Sequence, residues 1–292
     1  MDIVSIGELL WDLFPSGERL GGAPFNFSAH VTKLGHRVSF ISGTGEDGRG
    51  VRALKEMERL GVDARFIASV PSVPTGFVTV HLEAGEPSYT IHRPAAYDFP
   101  SLDATLFESI VESKPAWIYH GTLAQSSPAV RALTRRLIDG MPSAQVFYDV
   151  NLRPANDDPA VVAGLLSGAT LVKVNEHETT RLALEFSLPA SPLEAFSRAI
   201  CGRFGCAGAC ITLGSRGCAI LYRSEFAQCP GYPVRVKDAV GAGDAFSAAI
   251  LHGLASNQPL ARTGDFANRI GALVASKSGA IPAWTLAEAQ AL

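Results

Sequence analysis

Residues 237–253 read Lys-Asp-Ala-Val-Gly-Ala-Gly-Asp-Ala-Phe-Ser-Ala-Ala-Ile-Leu-His-Gly. The small residues Gly241, Ala242 and Gly243 form a turn whose backbone N–H groups are free to face outward. The apolar run that begins at Ala245 predicts a helix to about residue 254. Outward-facing amides and the positive end of a helix together attract anions. The stretch therefore predicts an anion site with Asp244 beside it.

Asp244 is open to two interpretations. Next to an anion site, its carboxylate would deprotonate a hydroxyl while the turn stabilises charge on a phosphoryl group. Alternatively, Asp244 is an ordinary helix N-cap, since Asp is one of the favoured capping residues. The remaining motifs of the chain have to decide between the two.

The bulk composition bounds the class of protein. The chain has 292 residues, 47% of them hydrophobic and 18% charged, which indicates a globular protein with one large or two small domains. A net charge of −3 argues against nucleic acid as a partner. The first residues are acidic and lack a basic region, and no apolar run approaches ~18 residues. We therefore expect neither a secretion signal nor a membrane span, and a cytoplasmic protein.

The cysteine pattern agrees with that location. Five cysteines occur, at 201, 206, 210, 218 and 229, without a Cys-x-x-Cys pair. An odd number at irregular spacing predicts reduced, buried thiols and no metal site.

Short apolar runs alternate with helical patterns along most of the chain. We predict strands at 3–6, 37–41, 64–68, 116–120, 145–149, 171–174, 209–213 and 218–221, and helices at 26–34, 48–60, 128–140, 159–166 and 194–204. This alternation predicts an α/β fold with a mainly parallel sheet covered on both faces. Residues 9–22 and 72–98 break the rhythm, and the second piece alternates around a turn at Gly85. We expect a single domain, 1–292, with these two pieces as a small β lid.

A dinucleotide site is a rival interpretation. Residues 43–48 read Gly-Thr-Gly-Glu-Asp-Gly, which matches Gly-x-Gly-x-x-Gly between a strand and a helix. However, Glu46 and Asp47 would place negative charge where pyrophosphate binds, and Asp63 precedes the next strand instead of ending it. The pattern therefore disfavours a nicotinamide oxidoreductase.

Five segments fall into a recognisable order: 21–35, 45–50, 149–153, 175–178 and 238–244. In order and spacing they resemble the ribokinase-like (PfkB) family of carbohydrate kinases, over essentially the whole chain. The segments 7–12, 149–153 and 279–282 are most similar to the fructokinase branch. The resemblance implies a ribokinase-like three-layer sandwich and an ATP- and Mg²⁺-dependent kinase that phosphorylates a primary hydroxyl of a small sugar.

The resemblance also implies roles for single residues. Asp244 would be the base, and Gly241, Ala242 and Gly243 would stabilise the transferring γ-phosphoryl group. Arg153 would contact phosphate oxygens, with a structural salt bridge as the alternative. The expected sugar contacts are Asp12, Gly22, Asn26 and Arg93, of which Gly22 would let the backbone approach the sugar and Arg93 would reach the sugar or the phosphate.

Nucleotide and metal contacts follow in the same way. Asn175 and Glu178 would organise Mg²⁺ and phosphate, in part through water, or alternatively cap a helix. The resemblance places the adenine nucleotide against Thr212, Gly214, Gly217 and Asn268, for which a tight turn and a polar helix surface are the alternatives. K⁺ would bind near Asp238, Val240 and Gly279.

Three residues depart from the family pattern. Tyr97 stands where fructokinases usually place an acid, so either the acid is shifted to Asp98 or the sugar pocket differs. Phe25 and Phe27 are bulkier than is common, and we expect all these changes on the sugar side.

Fructose is the first substrate candidate; 2-keto-3-deoxygluconate, ribose or a nucleoside, or a sugar sensor without catalysis, are the alternatives. A homodimer through the lid edge is plausible.

Overall fold

The computed structural model describes residues 1–83, 86–153 and 157–292, and the side chains in these ranges except at 81–88. The strands are β1 Asp2–Ile6, β2 Leu10–Phe14, β3 Gly17–Gly21, β4 Arg37–Gly45, β5 Ile67–Val70, β6 Gly76–Glu83, β7 Glu86–Ile91, β8 Trp117–Gly121, β9 Gln145–Asp149, β10 Leu171–Asn175, β11 Gly208–Thr212, β12 Cys218–Tyr222 and β13 Glu225–Cys229. The helices are α1 Ala23–Lys33, α2 Gly48–Leu60, α3 Ala104–Glu112, α4 Pro128–Gly140, α5 Pro159–Ser167, α6 Glu176–Glu185, α7 Leu193–Phe204, α8 Ala242–Ala255, α9 Leu260–Ala275 and α10 Leu286–Gln290.

The main sheet has nine strands in the order β13-β12-β11-β10-β9-β8-β1-β4-β5. The seven strands from β11 to β5 run parallel to one another. Strand β12 pairs antiparallel with β11, and β13 pairs antiparallel with β12. Its central strands β8 and β9 are buried apart from the half-buried Gln145, as expected when helices cover both faces. Helices α1, α2, α8 and α9 pack on one face, and α3 to α7 pack on the other. The predicted three-layer α/β fold is confirmed.

A second sheet of four strands, β3-β2-β6-β7, is separate from the main one. It is built from the two segments that break the strand–helix rhythm. The turn expected at Gly85 lies outside the described residues. That this sheet acts as a lid on a single domain stays a prediction.

Several boundaries differ from the predicted ones. The strand expected at 64–68 is Ile67–Val70, and α8 begins at Ala242 instead of Ala245. Gly43 and Gly45 lie inside β4, and Asp47 caps α2 by accepting hydrogen bonds from the N–H groups of Gly50 and Thr75, both at 2.8 Å. The Asp47 carboxylate thus occupies the helix end that a dinucleotide would need. The bounds of helices α3, α6, α9 and α10 and of strand β13 were not predicted.

All five cysteines are free thiols, and all but the half-buried Cys201 are buried. Among the described residues, we find no helix with both the length and the apolar character needed to cross a membrane.

Candidate active site

Asp244 lies in the first turn of α8 and is 9% exposed. The N-cap of this helix is Gly241, so the interpretation of Asp244 as an N-cap is wrong. The Asp244 Oδ2 atom instead accepts a hydrogen bond from Asn26 Nδ2 on α1, at 2.8 Å. The contact brings together two predicted site residues that are 218 positions apart.

The predicted anion turn is held tightly by its surroundings. Gly241 has φ +80°, and a Cβ placed on it would clash with the Ala280 carbonyl and lie 2.6 Å from the Ala280 Cα. Only glycine fits this position, because both the left-handed backbone and the close approach exclude a side chain. The Ala242 N–H points back to Ala239 O at 3.3 Å, so it is not directed at a ligand in this arrangement.

A buried cation lies directly beneath the turn. Lys173 Nζ on β10 donates to both carboxylate oxygens of Asp149, at 3.0 and 3.1 Å. A Cβ placed on Gly243 would lie 3.2 Å from the same Nζ, so the ammonium group faces the helix N-terminus. Asp149 is fully buried and also accepts hydrogen bonds from Tyr119 Oη and Ser247 Oγ, both at 3.0 Å. Two positive elements, the ammonium group and the helix end, thus meet beside Asp244.

The protonation of this cluster follows from burial and charge. Burial raises the pKa of Asp244 to about 6; Asp149 raises it too, whereas Lys173, Asn26 and Arg153 lower it. Burial alone would lower the pKa of Lys173, but the neighbouring carboxylates raise it overall, so the lysine stays charged. Asp244 is therefore poised to take up a proton near neutral pH.

Two of the expected sugar contacts, Asp12 and Asn26, lie on β2 and α1. Burial raises the pKa of Asp12 on β2 to about 6. Burial also raises the pKa of Glu8 to about 7. Within the described part of the chain, Glu8 Oε2 and Asn26 Oδ1 are buried without a hydrogen-bond partner. Acceptors of this kind are suited to the hydroxyl groups of a sugar.

Gly22 lies against the backbone of Glu8. It has φ +112°, and a Cβ on it would clash with the Glu8 carbonyl, lying 3.0 Å from the Glu8 carbonyl carbon. That Gly22 also lets the backbone approach a sugar stays a prediction.

The two predicted arginines lie in different surroundings. The Arg153 charge lowers the pKa values of Glu8, Asp12 and Asp244, so this arginine lies near the cluster. The Arg93 guanidinium is bound instead by Asp98, by Leu123 O at 3.2 Å and by Ser126 Oγ. The structure therefore does not bring Arg93 to Asp244.

The departures from the family pattern are placed as follows. Asp98 forms an ion pair with Arg93 and accepts a hydrogen bond from Ala95 N at 3.0 Å, so both groups already bind its carboxylate. Tyr97 is buried in the core. Phe25 packs near Phe40, and Phe27 stacks on Tyr119 with a centroid distance of 3.7 Å. The expectation that the two phenylalanines would shape the sugar side is wrong, because both side chains point into the core.

A cavity of about 480 Å³ adjoins the anion turn. Four predicted nucleotide contacts line it, together with two residues of the turn: Thr212, Gly214, Gly217, Asn268, Ala242 and Gly243. Most of its remaining lining is apolar. Asn268 Nδ2 donates to Cys229 O at 3.2 Å and to Pro230 O at 3.0 Å, which fixes this side chain in the lining. The cavity thus combines a mainly apolar lining with two residues of the anion turn. Asn175 is not among its lining residues.

Asn175 and Glu178 form a capping box at the start of α6. Asn175 Oδ1 accepts from Glu178 N at 2.9 Å, and Glu178 Oε2 accepts from Asn175 N at 2.8 Å. Glu178 Oε1 accepts a further hydrogen bond from Leu152 N at 2.8 Å. Since backbone N–H groups engage both oxygens of the buried carboxylate, this pair suits a hydrated cation better than direct ligation.

The three residues expected around K⁺ are adjacent. Asp238 accepts hydrogen bonds from Val240 N at 3.1 Å and Gly279 N at 3.0 Å, and it forms an ion pair with Arg19 at 2.7 Å. In the described ranges, no three His, Cys, Asp or Glu side chains form a group that could hold a metal ion.

Residues 16–286 match the family described as pfkB family carbohydrate kinase. The chain belongs to the pfkB family of carbohydrate kinases. It is 31% identical over 299 residues to the sugar kinase PH1459 of Pyrococcus horikoshii, covering 95% of this chain and 91% of that protein. It is 29% identical to a fructokinase of Salmonella typhimurium, with 95% and 94% coverage.

The solved structures agree on the fold of this kinase. The PH1459 structure in complex with ATP has a TM-score of 0.79 at 29% identity and covers 96% of this chain and 94% of its own. A fructokinase with bound ATP from Xylella fastidiosa has a TM-score of 0.87 at 23% identity, with 99% and 97% coverage, and supports the fold alone. The predicted family and a sugar phosphotransferase activity are confirmed.

Sequence reasoning assigned no role to Lys173, Asp149 or Glu8 in this kinase. A signal existed for Lys173, because a lysine interrupts the otherwise apolar strand Leu171–Asn175. A charged residue in a buried strand requires a partner, and Asp149 is that partner.

Proposed function

We propose that this kinase transfers the γ-phosphoryl group of ATP to a primary hydroxyl of a small sugar, with fructose as the first candidate. The observation that carries the proposal is the meeting of Asp244, its partner Asn26 and the Lys173 ammonium group at the turn that opens into the 480 Å³ cavity. A base, an anion site and a nucleotide-sized cavity are the parts that phosphoryl transfer requires.

In this mechanism Asp244 takes the proton of the sugar hydroxyl as its oxygen bonds to the γ-phosphorus. The bond from phosphorus to the bridging oxygen of ADP breaks at the same time, and ADP leaves with that electron pair. The N–H groups of Gly241 and Gly243 and the Lys173 ammonium group stabilise the charge on the transferring group. Arg153 would add a positive charge on the open side of the cluster.

ATP would bind with its base in the apolar part of the cavity, between Thr212–Gly217 and Asn268, and its phosphates toward Gly243. A relative at 29% identity, PH1459, has been solved in complex with ATP. A divalent metal, for which Mg²⁺ is our choice, would neutralise the phosphates, and Asn175 and Glu178 would hold it through water.

A fructokinase from Vibrio cholerae, 25% identical, has been solved with fructose, ADP and potassium ion and also with calcium ion. For this kinase we propose a K⁺ site near Asp238, Val240 and Gly279, since these residues already contact one another.

The sugar would bind against Asn26 and Glu8, each of which has a buried oxygen without a hydrogen-bond partner, and against Asp12, whose pKa is raised by burial. Fructose is favoured because plant and bacterial fructokinases are 27% to 29% identical over nearly the whole chain. Phosphorylation of 2-keto-3-deoxygluconate, ribose or a nucleoside is the alternative within the same chemistry. Arg93 would contribute only if it left its ion pair with Asp98.

The small sheet would serve as a lid on a single domain, with 9–22 and 72–98 as its two pieces. Asp12 lies on β2 of that sheet, and Arg19 on β3 pairs with Asp238 next to the anion turn. Closure would exclude water, which competes with the sugar as acceptor. A homodimer through the lid edge and a cytoplasmic location belong to the same proposal.

The test is ADP release from Mg-ATP against a panel of sugars, with and without K⁺ and with Asp244→Asn as the inactive control. One sugar that responds strongly would support the proposal and identify the substrate. Sugar-dependent thermal stabilisation without ADP release from any acceptor would instead indicate a sugar sensor.

A further inference from the structure

His30 is fully buried on α1, one helical turn after Asn26. Positions four apart share a helix face, so the side chains of Asn26 and His30 lie on the same face of α1. Asn26 contacts Asp244 directly. His30 contacts the carbonyl oxygen of Ala280, with 3.0 Å between Nε2 and that oxygen.

The hydrogen bonds of His30 fix its tautomer. Trp284 Nε1 can only donate, and it lies 3.2 Å from His30 Nδ1, so Nδ1 is the acceptor. Burial lowers the pKa of His30 to about 4, so the ring is neutral at physiological pH. The single ring proton is therefore on Nε2, which donates it to Ala280 O.

Ala280 in turn packs against Gly241. The contact is so close that a Cβ on Gly241 would lie 2.6 Å from the Ala280 Cα. The preceding residue, Gly279, donates its N–H to Asp238 at 3.0 Å on the other side of the turn. The segment 279–284 thus lies between α1 and residues 238–241, and His30 holds it at the point where it touches the turn.

We propose that His30 is a positioning residue of the kinase, which sets the anion turn through the contact between Ala280 and Gly241. This inference rests on the proposed function, because it assigns His30 to the same phosphoryl-transfer site. His30 would act on the transition state and not on sugar binding, since it does not touch the buried acceptors on Glu8 and Asn26 in the described contacts.

The test compares His30→Gln with His30→Asn. The Gln side chain can place an amide nitrogen near the position of His Nε2, whereas Asn reaches only the position of Nδ1. We expect His30→Asn to lower kcat about tenfold, the effect of one lost hydrogen bond, with KM for the sugar within about twofold. His30→Gln should recover most of kcat. The matched control is Lys33→Met, which removes an exposed contact to Pro282 O in the same segment and should leave kcat unchanged.

A second readout does not depend on activity. Amide hydrogen exchange at residues 238–243 should be faster in His30→Asn than in the wild type and in His30→Gln. If the wild-type protein phosphorylated no sugar, the proposed function would fail, while the exchange result would still decide whether His30 holds the turn.

If kcat and amide exchange in both His30 variants equalled the wild-type values, the inference would be overturned. It would also be overturned if His30→Gln lost as much kcat as His30→Asn. Should neither variant fold, Trp284→Phe is the fallback, because it removes the donor that keeps the proton on Nε2. Faster exchange at 238–243 together with lower kcat in Trp284→Phe would support the inference. Unchanged values of both would overturn it.

Discussion

At the scale of single residues, the site is a cluster of buried charged groups around Lys173. Lys173 lies among Asp149, Asp244 and Glu178, all of which raise its pKa. Only Asp149 bonds to it directly, with both oxygens. Asp244 therefore feels a compensating positive charge without being neutralised by contact, and burial can keep its pKa near 6. A carboxylate in this range can accept a proton at neutral pH and release it afterwards.

Asp244→Asn should lower kcat by about 10²–10⁴, the usual contribution of a general base, while ATP and sugar still bind. In the wild type the base must be ionised, so kcat/KM should fall as the pH drops below about 6. Steady-state kinetics from pH 5 to 8 check both expectations. Asp139→Asn, at an exposed acid on α4, is the control and should leave the profile unchanged. A near-normal rate in Asp244→Asn would show that another group is the base.

Lys173→Met should lower both stability and turnover. Removal of one partner leaves the Asp149 carboxylate buried and unpaired, at a cost of about 3–5 kcal/mol in the free energy of unfolding. Lys173→Met/Asp149→Asn removes both charges, so its unfolding free energy should recover. Its kcat should stay at least about tenfold low, because the ammonium group under the turn is still absent. Recovery of kcat together with stability would show that Lys173 is only structural.

At the scale of elements, the candidate site joins α1 to α8. Asn26 on α1 orients Asp244 on α8, and the start of α8 is set by the left-handed Gly241. The apolar faces of the two helices pack in one core cluster with β1, β8 and β9, which fixes their separation. This fixed separation also sets the distance between Asn26 and Asp244 near the N-terminal ends of the two helices.

Gly241→Ala should damage the start of α8. The methyl group would clash with the Ala280 carbonyl, and alanine at φ +80° is strained, so we expect a loss of about 1–3 kcal/mol in unfolding free energy. Because the turn itself must shift, kcat should fall even at temperatures well below Tm, where the variant is still folded. Gly164→Ala is the control, since nothing lies within 4 Å of a Cβ there and φ is ordinary. Comparable kcat in both variants would contradict a role for the turn.

At the scale of the whole molecule, the site acids reduce the stability that the core supplies. The folded-state pKa values of Asp244 and Glu8, about 6 and about 7, lie above their ordinary values of 3.8 and 4.5. At these two carboxyl groups the folded protein therefore binds protons more tightly than the unfolded chain in this range. Their contribution to the unfolding free energy should fall as the pH rises from about 4 to about 7, whereas the buried His30 and His120, with pKa values lowered to about 4, contribute in the opposite direction.

Asp244→Asn should consequently be more stable than the wild type at pH 8, by up to ~3 kcal/mol for a shift of about two pKa units. At pH 4 the difference should vanish, because the wild-type carboxyl is then largely protonated when folded. Urea unfolding of both proteins at the two pH values checks this. The same gain at both pH values would show that the charge of Asp244 is not its cause.

The sequence by itself determined the class of fold and the family, and it predicted Asp244 as the base. The alternation of apolar strands with helices is a local pattern that predicts a parallel sheet covered on both faces. Residues 241–244 are contiguous, so an anion turn next to an acid can be recognised in the sequence. The same local logic gives the capping box at Asn175 and Glu178.

Only the tertiary structure decided which distant groups meet. Lys173 and Asp149 are 24 residues apart, and His30 and Ala280 are 250 apart, so no local pattern links them. Arg93 forms an ion pair with Asp98, and Phe27 faces the core, because packing selects one orientation from several that the sequence allows. Local periodicity fixes the elements, whereas burial, which sets the pKa values and the partners, exists only once the layers have closed.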